Sequence, residues 1–122
     1  MNVVLVEPEI PPNTGNVARL CAATRTRLHL IEPLGFALDD KQLQRAGMDY
    51  WKHVDWRRWP AWATFAVSVP AGSRIWLIES DGPRSYVEAE FGADDYLVVG
   101  RETAGLPRTM LEAARADWAR NT

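Results

Sequence analysis

The stretch Tyr96-Leu97-Val98-Val99-Gly100-Arg101-Glu102-Thr103-Ala104-Gly105-Leu106-Pro107 decides how this chain folds. A short, unbroken apolar run is what a strand buried on both faces looks like. It gives way to a loop with a glycine at each end, and Pro107 then stands where a proline can open a helix. The two glycines let the backbone turn tightly and pass close to a ligand. A strand, a glycine loop and a helix form the repeating unit of a parallel sheet.

Working outward from this unit, the alternation recurs. Asn2 to Val6 reads as a buried strand, followed by a loop through Pro8, Pro11, Pro12 and Gly15. The spacing then predicts a helix from about Asn16 to Ala23, with Asn13 or Thr14 as its N-cap. Leu28 to Ile31 reads as another strand, closed by Pro33 and Gly35. Asp39 and Asp40 place negative charge at a helix start, with Leu43 and Ala46 facing inward and Gly47 ending the run. Pro60 fits the first turn of a further helix, in which Trp62, Phe65, Ala66 and Val69 follow helical spacing and read as core. Ile75 to Ile78 reads as a buried strand broken at Gly82-Pro83, and the helix after Pro107 is expected to run to about Ala116. The expected fold is α/β, a parallel sheet with helices on both faces, in a single domain over residues 1–122. Ligands of such folds gather at the carboxyl ends of the strands, which singles out the loops after Val6, Ile78 and Val99.

With 14 Lys and Arg against 16 Asp and Glu, the net charge is −2, which excludes a generally basic nucleic-acid binder. RNA binding would need a local patch drawn from Arg19, Arg25, Arg27, Lys41, Arg45, Arg57 and Arg58; each reads equally well as solvated surface. The lone Cys21 rules out an intrachain disulfide and fits a reducing cytoplasm. It reads as a small buried helix residue, with no base beside it to make a nucleophile. His29 and His53 lack metal-ligand spacing, so no metal is expected, and His29 reads as a satisfied strand residue. The N-terminus shows neither a basic leader nor a long apolar run, so neither signal peptide nor membrane span is expected.

Two constellations can carry chemistry. In Pro11-Pro12-Asn13-Thr14-Gly15-Asn16-Val17-Ala18-Arg19, amides and a guanidinium gather at a helix start, where anions are favoured. The same residues also read as ordinary capping by Asn13 with a surface Arg19. In Gly100 to Pro107, backbone groups can read an adenine edge or a ribose, and Glu102 is a lone carboxylate that can instead bond loop N–H groups. This loop is neither the dinucleotide fingerprint nor the phosphate loop with its lysine. Leu77-Ile78-Glu79-Ser80-Asp81-Gly82 is a third strand end with a turn.

Taken together, these loops resemble the TrmH-like branch of the SPOUT methyltransferases. The match includes Glu7-Pro8-Glu9-Ile10 ahead of Pro11, Ile31-Glu32-Pro33-Leu34-Gly35-Phe36, and Arg45-Ala46-Gly47-Met48-Asp49-Tyr50-Trp51. The latter two are similar to the smallest members, the TrmL (YibK) type tRNA wobble-position 2′-O-methyltransferases. The resemblance implies an α/β-knot fold, S-adenosylmethionine as cofactor, tRNA as substrate and a homodimer. It implies that Asn13 and Arg19 lie at the target ribose, and that Leu77, Ile78, Gly100, Glu102 and Gly105 border the cofactor. Arg19 is then expected to bond a phosphate and stabilise a developing alkoxide, because a guanidinium is a poor free base. Family members continue with a further strand, a Ser-x-Asn-x-Ser-type third motif and a helix, whereas this sequence ends at Arg120-Asn121-Thr122. The expectation is therefore a C-terminally incomplete domain, with a non-catalytic RNA-binding or assembly module as the alternative reading.

Overall fold

The computed structural model describes residues 1–9, 11–35, 54–78, 92–101 and 104–110. The expected helix at 39–47, the motif 45–51, the turn at 79–82, Glu102 and the continuation of the last helix past residue 110 lie outside the described residues. Five strands form one sheet: β1 (Asn2–Val6), β2 (Arg27–Ile31), β3 (Trp56–Trp59), β4 (Ile75–Ile78) and β5 (Tyr96–Val99). Their order is β3-β2-β1-β5-β4, and every pairing is parallel. The apolar strand Asn2–Val6 thus sits at the centre, as its unbroken hydrophobic run requires.

Successive residues of each strand face opposite sides. Val4, Val6, Ile31 and Val98 pack with Phe65, Leu106 and Met110 on one face. Leu5, Leu28 and Leu30 pack with Ala18, Cys21 and Val54 on the other. Helix α1 (Pro11–Thr24) covers the second face with its Thr14, Ala18 and Cys21 side, spaced at helical intervals. The short helix α2 (Trp62–Ala66) and residues 106–110 cover the first.

The structure corrects four expectations. Helix α1 begins at Pro11, five residues before the expected start, so Asn13 and Thr14 are inside the first turns and are not caps. The first-turn N–H groups have no helical partner anyway, so Pro11 and Pro12 extend the helix there and do not form a loop. Helix α2 is capped by extended Ala61, so Pro60 precedes it, and Val69 lies beyond its end while still packing on the same cluster. Strand β3 was not expected. Its sequence Trp-Arg-Arg-Trp alternates in neither strand nor helix period, because it is a sheet edge with a Trp turned to each face. Charged side chains on such an edge block further strand addition, and Arg58 pairs with Glu32, the residue just past β2. Strand β4 is the other edge, and Ile75 and Ile78 are partly exposed rather than buried.

His29 is buried on β2 as expected, and both its ring nitrogens are bonded. The Trp59 indole N–H donates to Nδ1 at 3.0 Å, which leaves Nε2 carrying the hydrogen and donating to Asn2 Oδ1 at 3.1 Å. Protonating Nδ1 would set two N–H groups against each other. Burial, aided by the nearby Arg27 and Arg57 charges, pushes the imidazole pKa down from 6.5 to about 4. The unfolded chain takes up this proton near pH 6.5 and the folded chain refuses it until about pH 4. The neutral ring's contribution is intact above pH 6.5 and is lost progressively as pH falls toward 4, by about 3 kcal/mol at the lower end. Urea midpoints measured across that range should show the loss, and a His29→Gln chain should show a shallower slope. Equal slopes would place the titration elsewhere.

At the amino end of the sheet, Asp95 is a buried anchor. It accepts from Gly92 N–H at 2.7 Å, from the Trp76 indole at 2.9 Å and from Arg74 Nη2 at 2.9 Å. Burial pushes its carboxyl up, but the bonds from Gly92, Trp76 and Arg74 outweigh this and hold it below the ordinary value. Asp95→Ala leaves the Trp76 and Gly92 donors without their acceptor and is expected to cost about 2–4 kcal/mol in urea unfolding. A loss under about 0.5 kcal/mol, the range of ordinary surface changes, would show that the anchor is dispensable.

Candidate functional site

The carboxyl ends of β1 and β5 are neighbours, since Leu5 pairs with Val99. From β1 the chain leaves toward β2, whereas β5 lies on the opposite side of β1 and pairs with β4. The segment after β1 packs on one face of the sheet and the segment after β5 on the other, and connections that part in this way open a crevice beyond the strand ends, where ligands of open α/β sheets bind.

One wall is the start of α1. Its first turn carries no acidic residue, so the positive end of the helix dipole is not neutralised from within. Asn13 and Arg19 are both exposed on this helix. Between them Thr14 faces the sheet, with its hydroxyl buried and without a hydrogen-bond partner. Cys21, two turns further, is buried in the core, and burial raises its thiol to about 11, so it stays protonated and inert.

The opposite wall is the loop after β5. Arg101 and Gly105 bond each other in both directions, N–H to O at 3.0 and 2.8 Å, which closes the loop into a tight ring. Gly105 turns the chain with φ of +70°. Gly100 is pressed against it: a Cβ there would stand 2.2 Å from the Gly105 carbonyl carbon and 2.3 Å from Leu106 N. Of the residues expected at the cofactor, Gly100 and Gly105 are thus brought together. Leu77 turns into the core under this loop. Ile78 pairs in register with Val99 on the other face, where each is 38% exposed. These two side chains form an apolar ledge beside a glycine backbone, a setting that suits a flat heteroaromatic base.

Two residues of the crevice were quoted in the sequence motifs without a role. Glu7, the first residue past β1, has φ of +53°, and Arg101 lies across from it with Nη2 3.4 Å from Glu7 Oε1. Each stands two residues beyond the registered pair Leu5 and Val99, which would have disclosed the contact had the register been known. A third loop joins the rim where Gly35 N–H donates to the Pro8 carbonyl at 2.8 Å. Among the described residues no three His, Cys, Asp or Glu side chains converge as metal ligands, and no helix is long and apolar enough to cross a membrane.

The family profile of the SpoU rRNA methylases matches residues 1–119, and the chain belongs to that family. It is 51% identical over 111 residues to the tRNA (cytidine(34)-2′-O)-methyltransferase of Saccharophagus degradans, covering 91% of this chain and 71% of that protein. A solved structure concerned with the 2-OH methylation of C/U34 on tRNA superposes with a TM-score of 0.86 at 48% identity, covering 91% of this chain and 73% of that one. The SpoU methyltransferase AviRb of Streptomyces viridochromogenes, solved in complex with AdoMet, shares the fold, with a TM-score of 0.66 at 20% identity over 89% of this chain and 46% of that one.

Proposed function

We propose that this chain transfers a methyl group from S-adenosylmethionine to the ribose 2′-hydroxyl of the wobble nucleotide of tRNA. The observation that carries the reading is the 51% identity, over 91% of the chain, to a protein named for that reaction. The crevice geometry supports it. Asn13 and Arg19 are exposed on α1, which follows β1, and Gly100, Gly105 and Ile78 lie at the ends of the neighbouring β5 and β4, an arrangement suited to holding two reactants side by side.

The loop between Gly100 and Gly105, with Glu102 within it, and the Leu77–Ile78 strand end would hold S-adenosylmethionine, which supplies an electrophilic methyl group when bound. The chain's own residues do the rest. Arg19, always charged, bonds an RNA phosphate and stabilises the negative charge growing on the 2′-oxygen. Asn13 orients the ribose, and the proton leaves to a neighbouring RNA phosphate. The enzyme acts as a cytoplasmic homodimer in this reading. Leu20, 65% exposed on α1, gives a place for apolar contact between copies.

Incubation with tritiated S-adenosylmethionine and tRNA transcripts, followed by nuclease digestion and mass spectrometry, tests the reading. Label is expected on the ribose of nucleotide 34, and a 2′-deoxy substitution at that nucleotide should abolish it. Label that persists there, or none on the unmodified transcript, overturns the assignment.

A further inference from the structure

Arg101 is the residue of the crevice whose geometry neither the ribose motif nor the cofactor loop explains. Its backbone is clamped by Gly105 on both sides. Among the described residues its side chain meets Glu7 alone, through one contact of 3.4 Å, and is 42% exposed. A guanidinium has five N–H donors in a flat fork, and the single long contact to Glu7 engages one of them.

Glu7 is fixed far more firmly. Its N–H donates to Ile31 O at 2.9 Å, and its φ of +53° is a conformation that few residues other than glycine adopt. Backbone strain of this kind collects at functional sites. A half-exposed ion pair with one long contact adds little to stability, so stability does not account for the arrangement. Its effect is directional: the carboxylate draws the guanidinium from the β5 loop toward β1. Helix α1 with Asn13 and Arg19 follows β1, and the Ile78 ledge lies on the other side of β5.

We propose that Arg101 contacts a backbone phosphate of the bound tRNA, with Glu7 as the positioning residue that presents it. The proposal rests on the reading of the chain as a tRNA methyltransferase. The planar fork matches two phosphate oxygens, and a bidentate contact of this kind is stronger than the long bond it replaces. Contacts to phosphate fix the register of a nucleic acid without reading its sequence, which is what a site needs in order to present one chosen ribose.

Filter binding of unmodified tRNA at several salt concentrations, with calorimetric titration of S-adenosylhomocysteine as control, tests this on the full chain. Arg101→Gln is expected to weaken tRNA binding about tenfold at low salt, the scale of one lost bond to a charged group. It should also reduce the slope of log K against log salt by about one, and leave S-adenosylhomocysteine affinity in place. Glu7→Gln should not lower the salt slope, because the cation remains. If the two variants lose binding and slope alike, the pair is structural and the proposal falls. If Arg101→Gln weakens S-adenosylhomocysteine as much as tRNA, the anion held is the cofactor's carboxylate, and the proposal falls in that direction. Failure of the unchanged chain to bind tRNA would overturn the functional reading itself, whereas normal binding by Arg101→Gln overturns this inference alone.

Discussion

Arg19→Ala is expected to lower methyl transfer to tRNA by at least about 10²-fold, the loss seen when one donor to a developing oxyanion is removed. Arg19 lies on α1 and not on the Gly100 loop, so S-adenosylhomocysteine affinity should stay close to that of the unchanged chain. The split follows from the proposed division of labour, with α1 serving the ribose and the β5 loop the cofactor. Arg19→Lys keeps the charge but loses the planar fork, and its activity should fall between the two. Because Arg19 is an exposed helix residue, the alanine chain should fold normally, which a thermal melt verifies. Single-turnover rates near those of the unchanged chain would remove Arg19 from the reaction. Equal losses of rate and of S-adenosylhomocysteine binding would move it to the cofactor side.

Gly100→Ala should have the largest effect on the cofactor side. The added carbon would stand 2.2 Å from one backbone carbon and 2.3 Å from a backbone nitrogen, and neither can rotate away as a side chain could. The ring between Arg101 and Gly105 must open or shift to make room, and its two backbone bonds are then strained or lost. The cost should be about 3 kcal/mol, at the high end for overpacking because both obstacles are main chain. S-adenosylhomocysteine binding should fall below detection in a titration. Gly72→Ala is the control. Gly72 has φ of +94° with open space around it, so the substitution carries the conformational penalty alone, about 1–2 kcal/mol, and should leave binding intact. If Gly100→Ala and Gly72→Ala melt alike and both bind, the close packing at Gly100 has no functional weight.

Four of the five strands were legible from their short apolar runs, unbroken in Val3–Val6, Ile75–Ile78 and Tyr96–Val99 and interrupted in β2 by the buried His29 alone after Arg27. Trp56–Trp59 was not, because an edge strand is half solvated and its two arginines break every period. The early start of α1 was hidden by treating Pro11 and Pro12 as loop formers, although a helix tolerates proline in its first turn. In the candidate site, glycines carried the signal: close approach leaves no room for a side chain at Gly100, and the positive φ at Gly105 favours glycine. Glu7 and Arg101 carried none, since their meeting depends on a register between segments 94 residues apart.

That same separation has a consequence for synthesis. Of the five described strands β1 leaves the ribosome before the others, yet one of its two neighbours, β5, is the last of them. Pairing of β1 with β2 and β3 can proceed early, giving a three-strand half-sheet whose central strand-to-be is temporarily an edge. Until β5 arrives, the backbone groups of Asn2–Val6 on that side stay open to any extended chain nearby. Non-local pairings of this kind slow folding and prolong the exposure of apolar strands. Among the described strands the crevice between β1 and β5 therefore forms late, so the two sides of the proposed site arise together, when β5 pairs with β1.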